Sequence, residues 1–177
     1  IDAPTLAAHQ VAAGLFGFLA LVLDALAIPA QTLVAEELGR DDLPQAAAIA
    51  DRSTRLSVWA AAALAVLLAA AAPLLPHAFS GDPAVVERAT SALWWLAAVL
   101  LPGAVAFALD GVLIGAGDYR FLGRAAFGYL IAVAPLAVTV LAAPGLGIAG
   151  IWAGMLVWMV LRAIVNYRRA ARLLPLG

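Results

Sequence analysis

The stretch "ALDGVLIGAGD", residues 108–118, ends a long apolar run that predicts the fold, and it places a carboxylate inside that run. Asp110 follows apolar residues, and three glycines separate it from the next acid, Asp118. The hydrocarbon core of a bilayer is about 30 Å thick and takes roughly 20 mostly apolar residues of helix to cross. The run that ends in this stretch is long enough, so it predicts a transmembrane helix that carries an ionisable group.

The whole chain has the composition of a membrane-embedded protein. Its 177 residues are 66% hydrophobic and 12% charged, with a mean hydropathy of +1.03, which disfavours a soluble domain. The chain has no cysteine, which excludes disulfides and thiolate metal sites. It also lacks a nucleophile triad, a phosphate-binding loop and a basic patch for nucleic acid. We therefore expect a protein that is not an enzyme, with no metal, no other cofactor and no nucleic-acid partner.

Five apolar stretches approach or exceed the length of a membrane span. Short breaks rich in Gly, Pro and Asp separate them, and connections this short force neighbouring helices to run antiparallel. The runs are continuous rather than alternating, which argues against a β-barrel. The sequence predicts an all-α polytopic bundle in a lipid bilayer, one domain over 1–177, with five transmembrane helices at about 5–38, 43–75, 83–116, 121–143 and 146–174.

The arginines predict an orientation. The chain has ten basic residues, all of them arginine, and only Arg88 falls outside the first break, the third break and the C-terminal region. We therefore expect a multi-pass protein of the cell (inner) membrane. By the positive-inside rule, its N-terminus lies outside the membrane and its C-terminus lies in the cytoplasm. The chain starts at Ile1 with no signal peptide, and we expect a fragment of a longer transporter or channel.

Two carboxylates are predicted to lie at membrane depth. At 1.5 Å per residue, Asp110 is about 12 Å from Asp118, and Asp24 is roughly 24 Å from Arg40. A charge at the bilayer centre costs about 2.5–3.5 kcal/mol, so such acids normally serve ion or proton pathways. The alternative is a protonated carboxyl that joins helices, a contact worth about 0.6 kcal/mol. We predict cation or proton coupling roles for both acids, and we expect no basic residue at matching depth in this chain.

A polar stripe accompanies Asp24. Gln31 is seven residues further along the same helical face, and Thr32 lies beside it. These side chains predict the lining of a water-filled cavity.

Three residues near the two acids predict helix bending or close packing. Pro29 removes a backbone hydrogen bond and should kink the first helix. Gly111 and Gly115 are four residues apart, a spacing that permits close helix contact. Flexibility during a transport cycle is the alternative role of these glycines.

Several motifs resemble the multidrug and toxic compound extrusion (MATE) transporters, in particular their DinF-like branch. They are the "AAHQ" opening, the "LDALAIPAQTLV" helix ending at "LG.DD", the "DG.LIGAGD" helix and the late "GIAGIWAG". The resemblance implies a twelve-helix antiporter of two lobes that exports small cationic or amphiphilic organic compounds against a proton or sodium gradient. On that template the chain is the C-terminal lobe without its first helix, and the missing N-terminal lobe is its partner. The resemblance also implies a coupling role for Asp110, while the main coupling acid of the branch lies in the absent lobe.

Two alternatives remain open at this stage. A lipid-linked oligosaccharide flippase of the same superfamily would need cationic side chains in its cavity for the pyrophosphate, and none is expected at depth. A noncatalytic membrane scaffold would use the acids only to lock helices together.

Overall fold

The computed structural model describes residues 2–176 and is built almost entirely of helices. Ile1 and Gly177, the ends of the predicted 1–177 domain, lie outside the described residues. Five helices are long and apolar enough to cross a membrane, so the predicted all-α fold with five spans is confirmed. They are α1 (Ala3–Gly39), α2 (Leu43–Ala71), α3 (Pro83–Gly115), α4 (Tyr119–Ala142) and α5 (Gly147–Leu173), with short 3₁₀ turns at Leu75–Ala78 and Pro144–Leu146.

The residues of the breaks explain where the helices begin and end. The carboxylates of Asp2, Asp42 and Asp82 accept hydrogen bonds from backbone N–H groups at the starts of α1, α2 and α3. A proline follows each within the first helical positions, where its fixed φ suits the helix. Helix α2 ends at Ala71, four residues before its predicted end, because Pro73 has no N–H to continue the backbone ladder.

Two buried apolar clusters fix the directions of the helices. One cluster joins the first halves of α1, α3 and α5 to the second half of α2. The other joins the second halves of α1, α3 and α5 to the first half of α2. Helices α1, α3 and α5 are therefore parallel to one another, and α2 is antiparallel to them. The end that holds residues 39–42, residues 117–118 and the last turns of α5 is called the arginine-rich end below.

Helix α3 is the centre of the bundle. It packs against α1, α2 and α5, whereas α4 packs mainly against α5. Tyr129 is the buried residue of α4, and most of the remaining surface of that helix is exposed. Helix α3 is thus placed to carry a site that several helices reach, and α4 touches the bundle through few side chains.

At the opposite end, Arg88 ties the start of α1 to α3. Its Nη1 donates to Oδ1 of Asp2 at 2.5 Å and to Oγ1 of Thr5 at 2.8 Å. The hydrogen bond from Arg88, helped by one from Thr5, holds the pKa of Asp2 well below its ordinary value. Because the folded pKa is lowered, the ionised pair stabilises this end above the ordinary Asp pKa of about 3.9. The stabilisation is lost as the pH falls from there through the lowered folded pKa.

This pair gives a testable pH dependence. We expect Arg88→Gln to speed amide hydrogen exchange at residues 5–8 at pH 7, because the first turn of α1 loses its tie to α3. After correction for intrinsic exchange rates, the difference from the parent should shrink as the pH is lowered below about 4, where Asp2 in the variant becomes protonated. A difference that does not change with pH would show that the hydroxyl of Thr5, and not the charge of Asp2, holds Arg88.

Candidate functional site

Asp110 lies at the centre of a polar cluster between α3, α4 and α5. Nη2 of Arg162 donates to its Oδ2, and Nδ2 of Asn166 donates to its Oδ1 at 2.6 Å. The hydroxyl of Tyr129 donates to Oδ1 of Asn166 at 3.0 Å. These four residues are called the Asp110 cluster. Two side chains of α5 therefore occupy both carboxylate oxygens, and α4 joins the cluster through Tyr129.

The parallel course of α3 and α5 explains this pairing. Arg162 and Asn166 are four residues apart, on successive turns of one face of α5. A second ion pair follows nearer the arginine-rich end, where Nε of Arg169 lies 2.6 Å from Oδ2 of Asp118. Asp118 follows Asp110 by eight residues, beyond the end of α3 and at the start of α4, and the two arginines are seven residues apart on α5. Two ion pairs thus follow one another along α5, one with an acid of α3 and one with the acid that begins α4.

The expectation that no basic residue lies at matching depth is wrong. Arg162 is eleven residues before the end of α5, about 16 Å along the axis. In the sequence alone it belongs to the group of arginines near the chain end. A local signal existed in "VLRAIVN", where an arginine and an asparagine four residues apart interrupt an apolar run. A flippase was disfavoured because no cationic side chain was expected at depth, and that reason no longer holds. A cationic side chain does lie at depth, although Asp110 pairs with its charge.

Two aromatic rings flank the guanidinium of Arg162. Its central carbon lies 5.2 Å from the ring centroid of Phe107 and 5.9 Å from that of Trp158. Both distances fall within about 6 Å, the range of cation–π attraction. The side chains of Arg162 and Asp110 are only 22% and 16% exposed. The cation is therefore held by one carboxylate and two aromatic faces, mostly shielded from the surroundings.

Helices α1 and α3 meet backbone to backbone at two glycines. A Cβ added to Gly111 would lie 2.5 Å from the carbonyl oxygen of Ala27, and one added to Gly115 would lie equally close to that of Gln31. Only glycine fits there, because the α1 backbone fills the space a side chain would take. Both contacts share the same offset of 84 residues between the parallel helices. This offset gives the relative heights of other residues on α1 and α3.

The register places the two predicted coupling acids at nearly the same height on α1 and α3. Asp24 lies level with residue 108, which is two residues or about 3 Å of helical rise from Asp110. It is half-buried and makes no hydrogen bond or ion pair within residues 2–176. The same part of the chain contains no group of three or more side chains suited to a metal ion. The site therefore combines one paired and one unpaired carboxylate.

The other predicted site residues lie in different surroundings. Gln31 is half-buried where α1 touches α3. Thr32 is exposed, and its hydroxyl donates to the carbonyl of Ile28 at 3.3 Å. Pro29 is also exposed and does not interrupt α1. The predicted polar stripe is thus divided between the α1–α3 contact and the outer surface of α1.

An apolar cavity of about 530 Å³ lies between α1, α4 and α5. Pockets of this size hold drug-sized ligands. Trp158 lines the cavity and also borders Arg162, so the cavity adjoins the Asp110 cluster. The rings of His9 and Trp152 lie 5.9 Å apart in its wall, and neither His9 Nδ1 nor Trp152 Nε1 has a hydrogen-bond partner among the described residues. Other lining residues are Phe16, Val133, Leu136, Ala137 and Met155.

Known proteins with similar sequences have names that refer to detoxification or to multidrug and toxin extrusion. The chain is 31% identical over 168 residues to Protein DETOXIFICATION 44, chloroplastic, of Arabidopsis thaliana, covering 93% of this chain and 32% of that protein. It is 27% identical over 139 residues to Multidrug and toxin extrusion protein 1 of Homo sapiens, covering 77% and 24% respectively. The chain thus spans about a third or less of the length of the curated relatives it matches.

A solved structure and a family model agree with these relatives. The crystal structure of the eukaryotic MATE transporter AtDTX14 matches with a TM-score of 0.85 at 21% identity, covering 95% of this chain and 38% of that one. This likeness shows a common fold. The family model described as MatE matches residues 1–139. The DinF-like branch stays a prediction, but the chain belongs to the MatE family of multi-pass membrane transporters, whose members are not enzymes.

Proposed function

We propose that the protein works in a secondary active exporter that moves small cationic or amphiphilic organic compounds against a proton or sodium gradient. The Asp110 cluster is the observation that carries this proposal. It places a mostly shielded carboxylate inside a span and beside an apolar cavity. Ionisable residues at such depth mark ion and substrate pathways. The names of the relatives, which refer to detoxification and to multidrug and toxin extrusion, support the substrate class.

The hydrogen bonds of Asp110 provide a link between charge and helix packing. An ionised carboxylate accepts strong bonds from Arg162 and Asn166, and these bonds weaken once a proton or a cation neutralises the acid. Loading of Asp110 then loosens α5 from α3, and Tyr129 passes the change to α4. In alternating access this change would accompany the rocking of two lobes about a central site. This chain would supply one lobe, and an N-terminal lobe would supply the other.

The remaining arginines support an orientation for the exporter. Six arginines lie in the turns or terminal helix segments of the arginine-rich end: Arg40, Arg120, Arg124, Arg168, Arg169 and Arg172. Arg52 and Arg55 lie further along, in the half of α2 that starts at this end. The positive-inside rule then places that end in the cytoplasm. Residue 2 would lie outside a cell (inner) membrane, and residue 176 inside.

Asp110→Asn tests the function. In liposomes containing the protein as its gene encodes it, we expect this variant to reduce gradient-driven ethidium transport to the level of empty liposomes, because the amide cannot carry the negative charge. Applying a pH gradient and a sodium gradient separately identifies the coupling ion. Asp118→Asn is the matched control, since it neutralises the neighbouring ion-paired acid between α3 and α4, and it should keep most of the transport. Unaltered transport and unaltered ion dependence in Asp110→Asn would remove Asp110 from the mechanism.

A further inference from the structure

The chain itself already supplies a cation to Asp110. The guanidinium of Arg162 bonds to the carboxylate and lies over the rings of Phe107 and Trp158. A carboxylate beside two aromatic faces is also what attracts a flat, delocalised organic cation, through Coulomb and cation–π forces. A free organic cation and Arg162 would therefore compete for the same place.

The charges of the site leave room for one further positive charge. Asp24, Asp110 and Arg162 together carry one net negative charge when all are ionised. Asp24 lies about 3 Å from the level of Asp110 along the parallel helices and has no ion pair within residues 2–176. A displaced Arg162 thus has a second carboxylate at nearly the same height in the bundle. The long, flexible arginine side chain makes such an exchange possible without unfolding a helix.

We propose that Arg162 is a tethered cation that fills a binding position for a monovalent organic cation at Asp110, and that the ligand displaces it toward Asp24. This inference rests on the proposed function and adds the device that regulates access to the site. The arginine occupies the position at Asp110 for part of the time. The apparent affinity for a ligand is therefore the intrinsic affinity multiplied by the fraction of time that the position is free.

The surroundings select an amphiphilic cation over a small inorganic one. Trp158 borders both the guanidinium and the apolar cavity of about 530 Å³, so a ligand can place its charge at Asp110 and its apolar body in the cavity. A sodium ion needs several oxygen ligands, but Asn166 already occupies Oδ1 of Asp110. The ligand class is therefore an organic monocation with an apolar or aromatic body.

Equilibrium binding of tetraphenylphosphonium to the purified protein tests the proposal. We expect Arg162→Gln to bind this cation about tenfold more tightly than the parent, because the competitor is gone. Arg162→Lys keeps a tethered charge and should bind close to the parent. Arg169→Gln removes the neighbouring paired arginine and should leave the affinity unchanged. Adding Asp110→Asn to Arg162→Gln should abolish the gain.

Several outcomes would overturn the proposal. They are an unchanged or weaker affinity in folded Arg162→Gln, an equal gain in Arg162→Lys or Arg169→Gln, and no tetraphenylphosphonium binding in either the parent or Arg162→Gln. If Arg162→Gln does not fold, tetraphenylphosphonium binding to the single variant Asp24→Asn tests the proposal instead. It should weaken binding several-fold, because displaced Arg162 loses its second partner, and unchanged binding would contradict the exchange.

Binding and transport separate this inference from the proposed function. Gradient-driven ethidium transport that depends on Asp110, together with no gain of affinity in Arg162→Gln, would overturn only the tethered cation. Absence of any gradient-driven transport in the parent, together with the expected tightening, would overturn the exporter and leave the cation site standing.

Discussion

A methyl group added at both Gly111 and Gly115 is expected to push α1 away from α3 and to lower the free energy of unfolding by roughly 2–6 kcal/mol, since overpacking typically costs 1–3 kcal/mol at each site. The atoms that each new Cβ would meet belong to the α1 backbone. They cannot rotate away as a side chain would, so the whole helix must shift. Unfolding of the double alanine variant in mixed detergent micelles measures the loss.

Gly103→Ala is the matched control for the two glycines. It is a buried glycine of the same helix, but a Cβ there has no neighbouring atom within 4 Å. The alanine should be neutral or stabilising by about 0.5–1 kcal/mol, the usual gain over glycine inside a helix. An equal loss of stability at Gly103 would mean that the close α1–α3 contact is not the cause.

Truncating Arg162 to alanine is expected to lower the free energy of unfolding by about 3–5 kcal/mol, the usual effect of breaking one side of a buried ion pair. The carboxylate of Asp110 would remain mostly shielded with only Asn166 bonded to it. The double variant Asp110→Ala/Arg162→Ala should lose less than the sum of the single variants, because no unpaired charge is left. A double-mutant cycle gives the coupling energy directly.

Arg169→Ala is the matched control for this cycle. Its side chain is 34% exposed in its pair with Asp118, so solvent screening should limit the loss to about 0–1 kcal/mol. A coupling energy of zero between Asp110 and Arg162 would contradict the structural pairing. An equal loss of unfolding free energy in Arg169→Ala would show that the depth of an ion pair does not determine its contribution to stability.

The five spans were predictable because they depend on local properties. Apolar length identifies a membrane helix, and breaks rich in Gly, Pro and Asp mark where one helix ends and the next begins. The main difference between the predicted and observed helix bounds was the end of α2, where Pro73 ends the helix although the residues around it are apolar. The alternation of helix directions followed from the short connections.

The site was predictable only in part, because its partners come from other helices. The cost of burying a charge identified Asp110 and Asp24 from their positions alone. Arg162 was missed because arginine counting treats every arginine near a helix end as an anchor. Tyr129 was missed because one tyrosine on a mostly exposed helix produces no pattern. The glycine spacing indicated a close helix contact, but not that α1 provides it.

The Asp110–Arg162 pair also constrains how the protein is made. The two residues are 52 positions apart in the chain, so the acid is synthesised first, and α3 reaches the bilayer ahead of the helix that carries the arginine. The burial cost of about 2.5–3.5 kcal/mol must then be met by the long apolar sequence of α3 alone. A nascent chain that has reached only α4 still carries an uncompensated acid, and the site closes when the last helix is inserted.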